Sequence, residues 1–363
     1  MKKNIFVLML AFVALVLTSC VQMSTVASLN ISGVLPEVLV EGEELDLSQV
    51  IVKVNYTNGT TDTVNLSMAT VTGNVPTVYG EQVCTVTYAG VSASFKYDYY
   101  KKASTLAELE NGGYLYFENG VYETSETINI ANKTIVKAAE DVTFKMITTT
   151  TAEDGVLYDG VTFSGYASTQ NSSKSTRTFL MFSVAEAGEI VLNNVKLQGL
   201  DNECKFGTNS CVCTMGFESW GSLSLLNCVA TDFTKGIIVT RKGELVVDNC
   251  YFNYVKGSES GRAPNAIQIS DTTAGKITNN TINGFHNPNA QLDSTFIMLY
   301  VQANDYKLVE TVKNIYGNTF IDGASAVVVC NASGSELKYI SSATEKQIVE
   351  NNEFISIETE MSR

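Results

Sequence analysis

Three cations near the middle of the chain, Lys235, Arg241 and Arg262, are the side chains best suited to chemistry. A base that takes the C5 proton of a uronic acid, beside a cation that steadies the carboxylate as charge builds, is what β-elimination of such a polymer requires. Asp232, Phe233 and Lys235 sit together in a short turn, with Trp220, Glu218 and Arg177 among the charged and aromatic residues around it. Trp220 is the single tryptophan of the chain, and a sugar ring stacks well on such a face. Hydrolysis would instead need two carboxylates flanking one bond, whereas Asp201, Glu218 and Asp232 stand apart without a fixed spacing. The sole histidine, His286, has no Gly-x-Ser-x-Gly elbow to serve. No Asp-x-Asp loop is present to hold a divalent ion, so no cofactor or metal is expected, and Ca2+ enters only under the elimination reading. Asp232, Phe233, Lys235, Trp220, Glu218 and Arg177 are therefore read as a binding surface, with Lys235, Arg241 and Arg262 as catalytic groups only in the alternative.

Positioning these residues is the task of a repeated phrase. An apolar strand ends in Asn-x-apolar six times, at Asn193/Val195, Asn227/Val229, Asn249/Tyr251, Asn280/Ile282, Asn318/Phe320 and Asn352/Phe354. The intervals of 34, 22, 31, 38 and 34 residues suit a β-solenoid, whose strands keep register while its loops vary. An inward Asn at each corner is expected to bond its own turn and the Asn of the next coil. Counted from these corners, the loops at 164–177, 199–210, 255–264 and 284–294 are long, while those at 232–236 and 322–325 are short. The long loops should form walls and Asp232 the floor of a gap between them. About eight to ten coils fit the region.

The strand, Gly-turn, strand, Asn-corner phrasing over residues 104 to 357 resembles the pectate-lyase-like superfamily of right-handed parallel β-helices. Gly112-Gly113-Tyr114-Leu115-Tyr116-Phe117 is similar to the opening coil of that family, which a capping segment precedes. The resemblance implies the fold. Activity is another matter, because the family's Arg-x-x-Pro-x-x-Arg, Asn-Thr-Asp, Gly-His-Gly and Asp-Phe-Ile-Phe-Gly phrases are missing here, and fold alone does not transfer function. Upstream, residues 28–100 alternate apolar and polar in about seven short strands, with Asn58-Gly59 at one hairpin turn. Gly42-Glu43-Glu44-Leu45-Asp46-Leu47 and Thr85-Val86-Thr87-Tyr88-Ala89-Gly90 resemble bacterial immunoglobulin-like domains, which implies a β-sandwich used as a spacer or adhesive module.

The first residues are an address. Lys2 and Lys3, the apolar run Ile5 to Leu17, and Leu17-Thr18-Ser19-Cys20 resemble a bacterial lipoprotein signal, which implies a signal peptide over 1–19 and a diacylated Cys20 on a tether over 20–27. The apolar run is shorter than the ~20 residues that span a bilayer. The expected domains are therefore signal, tether, an Ig-like domain at 28–100 and a right-handed parallel β-helix at 104–363, all-β throughout. The expected location is the cell envelope, periplasmic or surface-exposed, with the bilayer as one partner and a polysaccharide or surface protein as another; a structural adhesin whose variable loops face another cell is the further alternative.

With 24 basic against 38 acidic residues, nucleic acid is excluded as a partner, since its affinity rests on many Lys and Arg contacts to phosphate. Seven cysteines follow Cys20, so at least one is unpaired within the chain. Cys204 with Cys211 or Cys213 could close a small loop. Cys228 and Cys250, 22 residues apart, should stack in successive coils ~4.8 Å apart; they are read as buried fillers, with a disulfide as the alternative.

Overall fold

The structure, a computed structural model, describes residues 24–150, 155–164, 178–184, 188–199, 213–219, 221–231, 238–240, 243–253, 265–270, 274–284, 295–301, 314–331 and 342–362. The chain divides into two compact units, which meet in sequence at Tyr99 and Tyr100.

The first unit is built from antiparallel strands. Val50–Tyr56 alternates buried and exposed residues, so that Val50, Val52 and Val54 share the inner face. It pairs on one side with Val26–Gly33 and on the other with Thr61–Val64. Asn58 shapes the intervening turn, its carbonyl oxygen accepting from the Thr60 N–H at 3.0 Å and the Thr60 hydroxyl at 2.7 Å. Gly80–Tyr88 and Val91–Ala103 form the second hairpin, whose two turn residues, Ala89 and Gly90, have φ of 49° and 80°. Two positive φ values match the right-handed twist of the flanking strands. Leu39, Cys84, Phe95 and Tyr97 make the core, with Leu45, Leu47 and Val71 packed against it.

The second unit is a parallel β-helix in which each full coil contributes three strands. The first face stacks eight of them in parallel, from Gly113–Phe117 to Ile315–Tyr316. Alternation decides which side chains point in: in Glu244–Asp248, Leu245 and Val247 are fully buried. The second face stacks three-residue strands, Thr162–Ser164, Lys196–Gln198, Val229–Thr231, Tyr251–Asn253 and Thr281–Asn283. The third face stacks Thr178–Val184, Cys213–Ser219, Ile238–Thr240, Asn265–Ser270 and Thr295–Val301.

At the two ends of the stack the second and third strands fuse. Gly120–Ile130 and Val142–Thr150 run through the corner at one end, Thr319–Asn331 and Glu353–Ser362 at the other. The stretch 322–325, expected as a short loop, lies inside one of these continuous strands. Gly323 permits it, since a Cβ there would come within 2.4 Å of Phe296 Cζ. Phe296, Phe320 and Phe354 stack with centroids 5.7 and 5.5 Å apart and rings 13° and 17° from parallel.

Both ends of the core are closed by non-strand segments. A 3-10 turn, Leu106–Glu110, buries Leu106 and Leu109, and its Glu108 carboxylate accepts from the Ser104 N–H at 2.7 Å and pairs with Lys101 at 2.7 Å. At the far end the helix Ser342–Asn351 buries Ile348 against the last coil. An exposed apolar core face would otherwise stand in water there.

The corner between the first and second faces corrects the expected asparagine ladder. Pairing of Leu226 with Asp248 and of Val229 with Tyr251 sets the register, and it separates the six asparagines into different columns. One column is left-handed and faces solvent: Asn194, Asn227, Asn249, Asn279 and Gly317 have φ between 51° and 69°. The next residue of each coil turns inward, giving Val195, Cys228, Cys250, Asn280, Asn318 and Asn352. Asn193 belongs to neither column, since it ends the first-face strand and pairs with Leu226. In the inward column each amide oxygen accepts the backbone N–H of the coil before it: Cys250 to Asn280 at 2.8 Å, Asn280 to Asn318 at 3.0 Å and Asn318 to Asn352 at 2.9 Å.

Candidate functional site

Five intervening segments separate the second-face strands from the third-face strands. Segments 165–177, 200–212, 232–237, 254–264 and 285–294 each begin after a short second-face strand and return to a third-face strand. Because those strands pair in register, Ser164, Gln198, Thr231, Asn253 and Asn283 stand at the roots in one column. Asp232, Phe233, Lys235, Arg241, Arg262, Arg177 and Trp220, with Asp201 and His286, lie outside the described residues, as do Cys20 and the cysteines at 204 and 211. Glu218 falls on Cys213–Ser219, where its backbone pairs with Ser183 and Val239.

What the structure does bring together is the outer surface at the loop roots. Residues one apart from the buried Leu197, Ala230, Phe252 and Ile282 point outward on both sides. One outward row holds Lys196, Val229, Tyr251 and Thr281; the other holds Gln198, Thr231, Asn253 and Asn283. Tyr251 is 39% exposed and Val229 37%, so an aromatic and an aliphatic side chain lie open beside a row of amides and a hydroxyl. Sequence inspection missed these residues. The signal was present: each stands two or four positions after the left-handed corner residue.

The root column continues from Asn283 to Ile321 and Ile355; one position further along, Gly284, Asp322 and Ser356 have φ values of 75°, 54° and 53°. With Gly323 and Glu358 they line an open depression of about 370 Å³. Among the described residues no group of three or more His, Cys, Asp or Glu is placed to hold a metal ion.

Two carboxylates brace the solvent-facing corner. Asp159 accepts from the amides of Asn193 and Asn194, both at 3.2 Å, and forms an ion pair with Lys137. Further along, Asn227 donates to Asn193 at 3.1 Å and Asn249 to Asn227 at 2.7 Å. Asp248 accepts from the Thr278 hydroxyl and from the Asn279 amide at 2.9 Å. The Thr278 hydrogen bond chiefly, then Asn279 and the nearby Lys276, hold its carboxyl below the usual range against a partial opposing effect of burial. A carboxyl depressed on folding adds stability above its unfolded pKa of about 3.9, and that contribution is lost as pH falls through the lower folded value. Asp248→Asn should therefore show a shallower acid limb below about pH 4 in thermal unfolding than the parent protein. An identical limb would remove this role.

These features define an immunoglobulin-like sandwich joined in sequence to a parallel β-helix. Residues 37–96 match the family described as bacterial Ig-like domain (group 3), a match confined to the first unit. No curated protein matches the chain. A solution structure described as that of "a putative surface protein" is 25% identical to this chain, covering 22% of it and 93% of its own length, with a TM-score of 0.16.

Proposed function

We propose that the chain is an envelope lipoprotein, held through an acylated Cys20, that binds an extended glycan or a surface partner along the loop-bearing edge of its β-helix without transforming it. The observation that carries this reading is the pair of in-register outward rows at the loop roots. A polymer laid along the helix axis meets a donor or acceptor once per coil, every ~4.8 Å, beside the open ring of Tyr251. Gln198, Thr231, Asn253 and Asn283 are uncharged, and a net charge of -14 opposes a polyanion. Both favour a neutral glycan. The bacterial Ig-like domain fits a surface-associated role.

A glycan array probed with protein lacking residues 1–20 tests the reading directly. On the best ligand, Tyr251→Ala and Asn253→Ala should each weaken binding about tenfold, the equivalent of ~1.4 kcal/mol. Unchanged affinity in both variants would move the site off this face. Release of unsaturated products from uronic acid polymers would replace binding with β-elimination. For the anchor, Cys20→Ala should shift the protein out of the membrane fraction; retention there would refute lipidation.

A further inference from the structure

The inward corner column changes its chemistry partway along the stack. Amides fill it at Asn280, Asn318 and Asn352, and thiols at Cys228 and Cys250. Each thiol occupies the hydrogen-bonding place of an amide. Cys250 donates to the carbonyl of Leu225 at 3.5 Å, as Asn280 does to Val247 and Asn318 to Ile277, both at 3.0 Å. Cys228 donates to Leu192 in the same way at 3.5 Å, and the Cys228 N–H donates to Cys250 Sγ at 3.4 Å. Both thiols are free, and they are only 2% and 3% exposed. Register sets the two residues opposite each other, one strand spacing of ~4.8 Å apart, within the roughly 4.4–6.8 Å between Cα atoms that a disulfide spans. Asparagine already satisfies this column elsewhere, so hydrogen bonding alone does not explain two adjacent cysteines. What they add is a covalent option.

We propose that Cys228 and Cys250 are a redox pair that closes into a cross-coil disulfide when the chain folds in an oxidising compartment. The thiolate of either cysteine attacks one sulfur of an oxidised disulfide reagent such as oxidised glutathione and expels one glutathione thiolate. The other cysteine then gives up its proton, attacks the sulfur that carries the glutathione and expels the second glutathione. Two S–H bonds are oxidised to one S–S bond, one reagent disulfide is reduced to two thiols, and both protons end on the departing thiolates. Burial in the finished stack requires this exchange to precede closure of the two coils. The bond would tie together the coils on either side of 232–237, the shortest of the five loops.

The purified full chain is unfolded under reducing conditions and refolded in glutathione buffers running from reduced to oxidised. Remaining thiols are alkylated, and the digest is read by mass spectrometry. Cys228 and Cys250 peptides should appear joined, with the loss of two hydrogens, and alkylation should fall at both sites together. Independent alkylation of the two, persistent single glutathione adducts, or pairing with a third cysteine would each overturn the proposal. A Cys228→Ser, Cys250→Ser double variant keeps a donor and an acceptor at each site. It should refold in every buffer without the linked peptide; if the linked-peptide signal survives, its assignment is wrong.

Discussion

Asn318→Ala should destabilise the β-helix by roughly 3–5 kcal/mol, several times the effect of truncating a solvent-facing asparagine. Asn318 is 1% exposed. Its oxygen accepts from the Asn280 N–H and the Asn280 amide, both at 3.0 Å. Its nitrogen donates to Ile277 O at 3.0 Å, Tyr316 O at 3.2 Å and Asn352 Oδ1 at 2.9 Å. Alanine supplies none of these and leaves a hole too apolar to reward water. Each stranded buried group costs about 1–3 kcal/mol, and more than one is stranded here. The control is Asn227→Ala in the exposed column, where water replaces the lost partner and the cost should stay below ~1 kcal/mol. Urea unfolding followed by circular dichroism measures both, and hydrogen exchange at the Asn280 amide shows whether the opening is local, as nearest-neighbour stacking predicts. Equal shifts for Asn318→Ala and Asn227→Ala would falsify the distinction between the two columns.

Gly243→Ala is expected to be comparably damaging for a different reason. Gly243 has φ of 77°, and an added Cβ would lie 2.3 Å from both the carbonyl carbon and oxygen of Gly221 and 2.7 Å from Ser222 N. All three are backbone atoms of the adjoining coil. Their distance is fixed by the parallel ladder that pairs Leu223 with Leu245 and Ser224 with Val246, so neither side can give way without breaking it. Left-handed strain alone costs an alanine about 1–2 kcal/mol, and the clash should bring the total to about 4 kcal/mol or more. Gly59→Ala separates the two contributions: its φ is 81°, yet nothing lies within 4 Å of the added carbon. The melting temperatures should fall slightly for Gly59→Ala and steeply for Gly243→Ala. Similar small losses in both would mean that the coils are free to separate.

Local chemistry was legible in the sequence, and register was not. Asn58-Gly59, in a three-residue turn, and Ala89-Gly90, in a two-residue one, announce their hairpins because a short turn depends on its own φ preferences. Alternation in Glu244–Asp248 likewise announces a strand with one buried face. The corner was harder. Val195 and Val229 each stand two after an asparagine, but Val195 is fully buried and Val229 is 37% exposed. An apolar residue on the outer surface imitates an inner one, so counting from the apolar partner slips the column by one. Counting three residues on from the left-handed position to Leu197, Ala230, Phe252, Ile282 and Phe320 restores it. The outward rows suffered from the same ambiguity: Tyr251 looked like a core residue and faces solvent. The helix Ser342–Asn351 was also missed, since Ile348 is its one fully buried side chain among those described and leaves little apolar period to detect.

That helix also bears on how copies of the protein meet. A stack of parallel strands ends in rows of unpaired amides and carbonyls, each a template on which another chain can add. In the last coil the helix stands in the first-face position and presents no extended row of amides and carbonyls, so that row offers no template. At the same end of the stack the edge strand Glu353–Ser362 carries Glu353, Glu358 and Glu360, which repel an identical edge. Two copies brought together through this face thus meet a helix where one strand row would pair and like charge where another would.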